Sequence, residues 1–436
     1  MNFMPLILLL VFFVLNIPIA FSLIMAVLYY FLFCNDTLAP YMIFQKMVSQ
    51  GESFTLLAVP FFVAVGVIMN YSGIATRLMN VADMLTGRMV GGLAQSNVVL
   101  SALMGGVSGS ANADAAMEAK MLVPEMTKRG YSKGFSAGVT AASAVLTPII
   151  PPGICLILYG SLANVSVAKM FLAGYGPGLF LMVLLMVAVY LVAKKKGYTG
   201  TRTHKMPLKE CLKTLLDAFW ALLIPFGIVM GLRMGVFTAT EAGAICVFYC
   251  IFVGVFVYKE LKISMIPAMI EECVVSTAGV MIIICAAASF GNYLSWERIP
   301  SQLSELLLTL TSNKYVMLLL VNLFLLVVGM FLEGTASLII LTPLLVPTMT
   351  ALGVDPILFG IIMCVNVTMG GITPPFGTLM FLTCSVIGVS IKDFLKESWP
   401  LILTMIIGLL AISYIPPITL LLPLSLIHIS EPTRPY

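Results

Sequence analysis

Between Gly105 and Ala115 the chain reads GGVSGSANADA. Gly105, Gly106 and Gly109 let the backbone approach closely, and with Ser108 and Ser110 they leave carbonyls and hydroxyls unpaired. A compact cage of such neutral oxygens is what a dehydrated Na+ needs. Gly105 and Gly109 also form a GxxxG pair, for which tight helix packing is the plainer reading. A second stretch, FLEGTAS, carries Glu333, Gly334, Thr335 and Ser337. Each stretch is followed by a proline break: TPIIPPG, Thr147 to Gly153, and NVTMGGITPPFGT, Asn366 to Thr378. Proline has no amide proton and blocks the helix, so carbonyls ahead of it lose their partners and can face a cation. The half-helix that follows opens with free amides that can face an anion. The same residue types therefore suit coupled cation and carboxylate binding; a kink repaired by neighbouring helices is the alternative.

Ionisable groups are few. Asp114 and Glu118 stand one turn apart near the first stretch, and Glu241 follows a Thr-Ala-Thr turn after Arg233. Ionisable residues inside apolar segments are functional by default, although at a helix end they can simply cap amides. There is no Walker A loop, no HExxH helix and no paired DDxxD cluster, so neither nucleotide hydrolysis nor these metal-dependent chemistries is expected, and the chain reads as a non-enzyme. Imidazole chemistry is nearly excluded, with only His204 and His428 present. The nine cysteines are scattered, mostly in apolar runs, and read as small buried hydrophobes.

The elements that must position these residues are membrane helices. Of 436 residues, 60% are hydrophobic and 10% charged, which excludes soluble enzymes and leaves no nucleic-acid partner to expect; the lipid bilayer is the surrounding medium. Long continuous apolar runs also argue against a β-barrel. The fold class expected is an all-α polytopic membrane protein. About eleven transmembrane helices are read near 4 to 33, 53 to 71, 91 to 105, 134 to 160, 167 to 193, 215 to 233, 240 to 258, 271 to 291, 314 to 331, 356 to 387 and 398 to 422. Segments 106 to 127 and 332 to 350 read as re-entrant helical hairpins, and 74 to 90 and 297 to 312 as amphipathic interfacial arms. The run from Met4 lacks a basic start and a cleavage site, so it reads as a first span rather than a signal peptide.

An internal repeat ties the motifs together. LVPEMTKRG, Leu122 to Gly130, recurs as LVPTMTALG, Leu345 to Gly353, each copy between a small-residue stretch and a proline break. Paired Gly/Pro-interrupted segments are the best sequence pointer to a secondary transporter's binding site. Lys194, Lys195, Lys196, Arg202 and Lys205 make the loop at 194 to 213 cytoplasmic, and Lys128 and Arg129 fall on the same side. The second copy has Asp355 and no basic residue there, which predicts an inverted repeat, about 1 to 195 against about 214 to 423. Six crossings between equivalent spans contradict inversion, so one segment is miscounted, with 271 to 312 the expected place. LSLIHISEPTR, Leu424 to Arg434, resembles the translation of a sequencing-library adaptor, and 424 to 436 is set aside as a non-native tail.

LLAVPFFVAVGVIMNYSGIATRL, GGLAQSNVVLSALMGGVSGSANADAAM, PEMTKRGYSKGFSAGVTAASAVLTPIIPPG, GVFTATEAGA and GGITPPFGTLMF together resemble the large membrane subunit (DctM-like, M subunit) of a tripartite ATP-independent periplasmic (TRAP) transporter, over nearly the whole chain to about Pro423. The resemblance implies an elevator-type Na+ symporter of the wider ion-transporter superfamily, in a bacterial inner membrane. It implies import of a small carboxylate such as a C4-dicarboxylate or sugar acid. Its partners would be a four-helix Q-type membrane subunit, expected as a separate gene product, and a periplasmic P-type binding protein.

Carried over by motif, the first tip falls on Ser108, Gly109, Ser110 and Asn112 and the first break on Thr147, Pro148, Pro151, Pro152 and Gly153. The second tip falls on Glu333, Gly334, Thr335 and Ser337, with its break at Gly370, Gly371, Thr373, Pro374, Pro375 and Gly377. With Gly105, Gly106, Asp114 and Asn366 these form the expected binding set, Na+ being expected at Ser108, Ser110, Thr147, Gly334, Thr335, Gly371 and Thr373. The chain departs from the family's usual TPTEA with TATEA at Thr238 to Ala242, and has Asn112 where a small residue is common. A stand-alone divalent-anion/Na+ symporter of the same superfamily, needing no binding protein, is the alternative.

Overall fold

The computed structural model describes residues 3–421 except 16, 36–38, 203, 205 and 312. The adaptor-like stretch, His428 and Lys205 lie outside the described residues. Secondary structure among the described residues is entirely helical, and eight helices are long and apolar enough to cross a membrane: Phe54–Ser72, Val167–Lys196, Leu208–Leu232, Ala239–Val257, Ile263–Trp296, Lys314–Phe331, Gly334–Ala351 and Ile391–Tyr414. Outer helices bury little of themselves. Only 28% of the most apolar window of Ile263–Trp296 is buried against 61% for Gly334–Ala351, so the former lies at the periphery of the chain and the latter inside it.

Eight helices have the length of a crossing where eleven spans are expected, and the difference lies in how the apolar runs divide. The run 4 to 33 divides at Pro18 into Met4–Val14 and Ile19–Tyr29, because proline disfavours helix in the residue before it. The segment 91 to 105 is the helix Gly92–Gly105, whose 14 residues reach only about 21 Å at 1.5 Å each, short of a hydrocarbon core of about 30 Å. It is followed, across residues 106 to 110, by Ala111–Met121, so 106 to 127 is one arm of a hairpin rather than a whole one. Likewise 332 to 350 is the single arm Gly334–Ala351, preceded by Lys314–Phe331. The segments 134 to 160 and 356 to 387 are each two short helices: Lys133–Ala144 with Ile154–Leu162, and Pro356–Gly370 with Thr378–Ile387. The suspected region 271 to 312 is regular, one helix of 31 residues, Ile266–Trp296, and an arm, Ile299–Leu310, whereas 91 to 105 is the segment too short to cross. The basic loop is shorter than expected, since Lys194 to Lys196 end one helix and Leu208 starts the next.

The element order repeats: a span, an amphipathic arm, two helices joined at a tip, a broken helix, a closing span. The first copy's arm is Ile74–Thr86, which buries Ile74, Ala75, Leu78, Val81 and Ala82 at helical spacing. Gly130 and Gly353, ending the two LVPxMTxxG copies, both take positive φ, 84° and 74°. Each closes its helix with the same bonds: Tyr131 N to Met126 O (3.1 Å) with Gly130 N to Thr127 O (3.0 Å), and Val354 N to Met349 O (3.0 Å) with Gly353 N to Thr350 O (2.9 Å).

Packing is reciprocal between the copies. Ile154–Leu162 lies on Gly334–Ala351, and its counterpart Thr378–Ile387 on Ala111–Met121; Lys133–Ala144 lies on Ile391–Tyr414, and Pro356–Gly370 on Val167–Lys196. Such an exchange is what a two-fold relation between two copies of one unit produces. Outside it, Ala239–Phe252 packs on Ala58–Ser72, and Ile266–Trp296 on Ile19–Tyr29 and Met42–Gly51.

Candidate transport site

Both tips and both breaks border one cavity of about 390 Å³. Gly109, Ser110, Asn112, Pro148, Glu333, Gly334, Thr335 and Gly371 line it, with Val275, Ser276, Gly279, Val280 and Ile283 of Ile266–Trp296 forming a further wall. Four helices begin here, since Ala111, Asn112, Ile154, Cys155, Gly334, Thr335, Thr378 and Leu379 are the first two residues of each. Free amides and the positive ends of four helix dipoles therefore meet in one space, a setting that stabilises an anion without a basic side chain. No Lys or Arg lines the cavity among the described residues.

The four starts are not alike. Ser110 accepts from Ala113 N (3.5 Å), and Glu333 accepts from Thr335 N (3.0 Å), Ala336 N (3.2 Å) and the Thr335 hydroxyl, so the hairpin arms carry side-chain caps. The broken helices restart at Gly153 and Gly377, which have no side chain to offer, so their first turns carry no side-chain cap. The first tip is held to its break by the bond from Ile154 N to Gly109 O (3.4 Å). Gly109 has φ +60°, and a Cβ there would lie 2.5 Å from the Pro152 carbonyl oxygen, so only glycine fits. The Pro151–Pro152 and Pro374–Pro375 bonds are both cis.

The other expected residues stand behind this wall. Thr147 Oγ1 donates to Asp114 (2.6 Å), while the second Asp114 oxygen and the buried Ser108 and Ser337 hydroxyls have no partner. Thr373 Oγ1 turns back on its own helix end, donating to Gly370 O (2.8 Å). Asn366 donates to the side-chain and main-chain oxygens of Asn322 (2.9 and 3.0 Å). Gly370 meets Gly329 of Lys314–Phe331, where a Cβ on Gly370 would lie 2.5 Å from the Gly329 backbone, and Gly105 and Gly106 pack on Thr147 and Pro225. Glu241 is apart from the cavity; it completes a capping box with Thr238, whose backbone N donates to it (2.7 Å). Among the described residues no three His, Cys, Asp or Glu side chains gather to hold a metal, so a cation here would meet chiefly neutral oxygens.

Sequence reasoning missed a buried polar cluster. Asn97 donates to Thr140 (2.8 Å) and accepts from Ser143 (2.8 Å), and Glu118 accepts from Ser101 (2.8 Å). The signal was present, since Asn97 and Ser101 are spaced one helical turn apart inside an apolar run, as are Thr140 and Ser143. Nothing in the sequence singled out Ser276 or Gly279.

The described residues form an all-helical, multi-spanning membrane protein with paired tips and breaks around one cavity. The solved Alcanivorax borkumensis YdaH transporter, described as having an unusual topology, shares that fold: TM-score 0.58 over 94% of this chain and 97% of that one, at 16% identity. Residues 6–418 match the family model "Tripartite ATP-independent periplasmic transporter, DctM component". The sialic acid TRAP transporter large permease protein SiaM of Vibrio cholerae is 37% identical over 408 residues, 94% of this chain and 95% of its own. The C4-dicarboxylate TRAP transporter large permease protein DctM of Pseudomonas aeruginosa is 36% identical over 378 residues, 87% and 88% of the two chains. The chain belongs to the DctM family of TRAP transporter large permeases. It is a multi-pass protein of the bacterial inner membrane, a transport protein and not an enzyme, and serves secondary transport of a small organic anion.

Proposed function

We propose that the chain imports a small carboxylate, of the C4-dicarboxylate or sugar-acid class, in symport with Na+. The observation that carries this reading is the convergence of four helix starts, two of them uncapped, on one cavity. The carboxylate meets the amides at Cys155 and Thr378. Na+ meets hydroxyl and carbonyl oxygens around Ser108, Ser110 and Thr147 at the first tip, and around Gly334, Thr335, Gly371 and Thr373 at the second. The unpartnered Ser108 hydroxyl supports the first of these sites.

Inversion of the repeat follows from counting each hairpin as re-entrant and each broken helix as one crossing. Five steps then separate Phe54–Ser72 from Ile263–Trp296, which turns the second copy over. The tip-and-break unit moves against Phe54–Ser72, Ala239–Val257 and Ile263–Trp296 as an elevator, exposing the cavity to each side in turn. A periplasmic binding protein delivers the substrate, and a small Q-type membrane subunit completes the assembly.

The test is uptake of radiolabelled carboxylates into proteoliposomes holding the chain and its small subunit, with a Na+ gradient, with the binding protein present or omitted. Accumulation only with inward Na+ and binding protein is expected. Uptake driven by a pH gradient alone would remove the Na+ assignment, and uptake without binding protein would favour a stand-alone symporter.

A further inference from the structure

Glu118 is fully buried in the body of the first tip-and-break unit, between Gly92–Gly105, its own helix Ala111–Met121, and Lys133–Ala144. One oxygen accepts from Ser101 (2.8 Å); the other lies 3.4 Å from Ser143 Oγ. The Ser143 hydroxyl has a single proton, and its shortest contact is the Asn97 side-chain oxygen at 2.8 Å, whose amide nitrogen is in turn committed to Thr140 at 2.8 Å. With Asn97 at 2.8 Å and the Thr140 carbonyl at 3.1 Å both nearer to that proton, Ser143 has none to spare for Glu118 in this arrangement, and a hydrogen bond between the two would come from the carboxyl.

The surroundings agree. Gly92–Gly105 has no ionisable side chain, Thr378–Ile387 has only Cys384, and Lys133 and Lys120 on the adjoining helices are exposed. Apart from the exposed Lys120, the charged group within about a turn is Asp114, of like sign. A bare carboxylate in such a place lacks any compensating cation, whereas a carboxylic acid satisfies Ser101 with one oxygen and Ser143 with the other. The repeat adds an independent observation. Aligning Leu122 on Leu345 sets Glu118 against Leu341, so the fold of this unit does not require a polar group there.

We infer that Glu118 is a proton-binding site inside the first tip-and-break unit, holding a neutral carboxylic acid that donates to Ser143 and accepts from Ser101. The site is separate from the cavity, and release of its proton requires Ser143 to turn toward Glu118 and the Asn97 amide to reverse.

Infrared spectra of the purified full-length chain in lipid at neutral pH test this directly, without reference to transport or to Na+. The expected result is a protonated-carboxyl stretching band in the parent that is lost in Glu118→Gln, whose amide reproduces both hydrogen bonds and leaves the melting temperature unchanged. Glu118→Leu, which the repeat shows the fold can hold, should lose the band as well. Ser101→Ala, which removes the donor to the carbonyl oxygen, should shift the same band upward and keeps the test readable if the position 118 variants fold poorly. No band assignable to Glu118, by loss in the first variant or shift in the last, would overturn the site and mean an ionised carboxylate served by Ser143.

Discussion

At the scale of single residues, the hydroxyl of Thr147 and the carboxylate of Glu333 carry separate duties. Thr147→Val removes the hydroxyl donated to Asp114 and leaves a buried carboxyl short of a partner, at a cost of about 1–3 kcal/mol. A lowered melting temperature, restored by Thr147→Ser, is the expected outcome. Glu333→Ala deletes the cap on Gly334–Ala351, which costs about 1 kcal/mol, while Glu333→Gln keeps an acceptor and should recover most of it. Thermal unfolding in a fluorescent thiol or scattering assay reads both. Glu241 shows how a residue can be read two ways from sequence and one way from structure: a charge beside an apolar run proved to be half of a capping box.

At the scale of elements, lengths and close approaches decide function. Hydropathy alone made Gly92–Gly105 look like a span, because a hairpin arm buried in protein is as apolar as a helix buried in lipid. Its 14 residues are what disqualify it. The crossing of Lys314–Phe331 over Pro356–Gly370 depends on Gly329 and Gly370 facing each other, so Gly370→Ala should push the helices apart, with an overpacking cost of about 1–3 kcal/mol. Uptake should fall further than expression, since the displaced helix ends at the second break; equal uptake per molecule of protein would refute that role.

At the scale of the whole molecule, the cavity sits between the tip-and-break unit and the helix Ile266–Trp296, so the proposed elevator makes movement between them the act of transport. Cysteines at Asn112 and Ser276, both lining the cavity, introduced into a cysteine-free background and crosslinked, should stop uptake reversibly with reductant. Undiminished uptake in the crosslinked protein would sink the elevator. Exchanging NaCl for choline chloride at matched ionic strength should lower the melting temperature. A ligand bound only to the folded state at 100 times its Kd contributes about 2.7 kcal/mol, and Ser110→Ala or Thr373→Ala should shrink that difference.

Composition and proline placement by themselves determined that this is a helical membrane protein, that it is built twice over, and which short stretches interrupt its helices. Those properties are local, because hydropathy and the missing amide of proline act on the residue that carries them. Tertiary structure decided that four helix starts face one another, that Ser276 and Gly279 close the cavity, and that Glu118 is enclosed with Ser101, Asn97 and Ser143. These follow from the reciprocal packing of Ile154–Leu162 on Gly334–Ala351 and of Thr378–Ile387 on Ala111–Met121, contacts between segments far apart in the chain that no local pattern encodes.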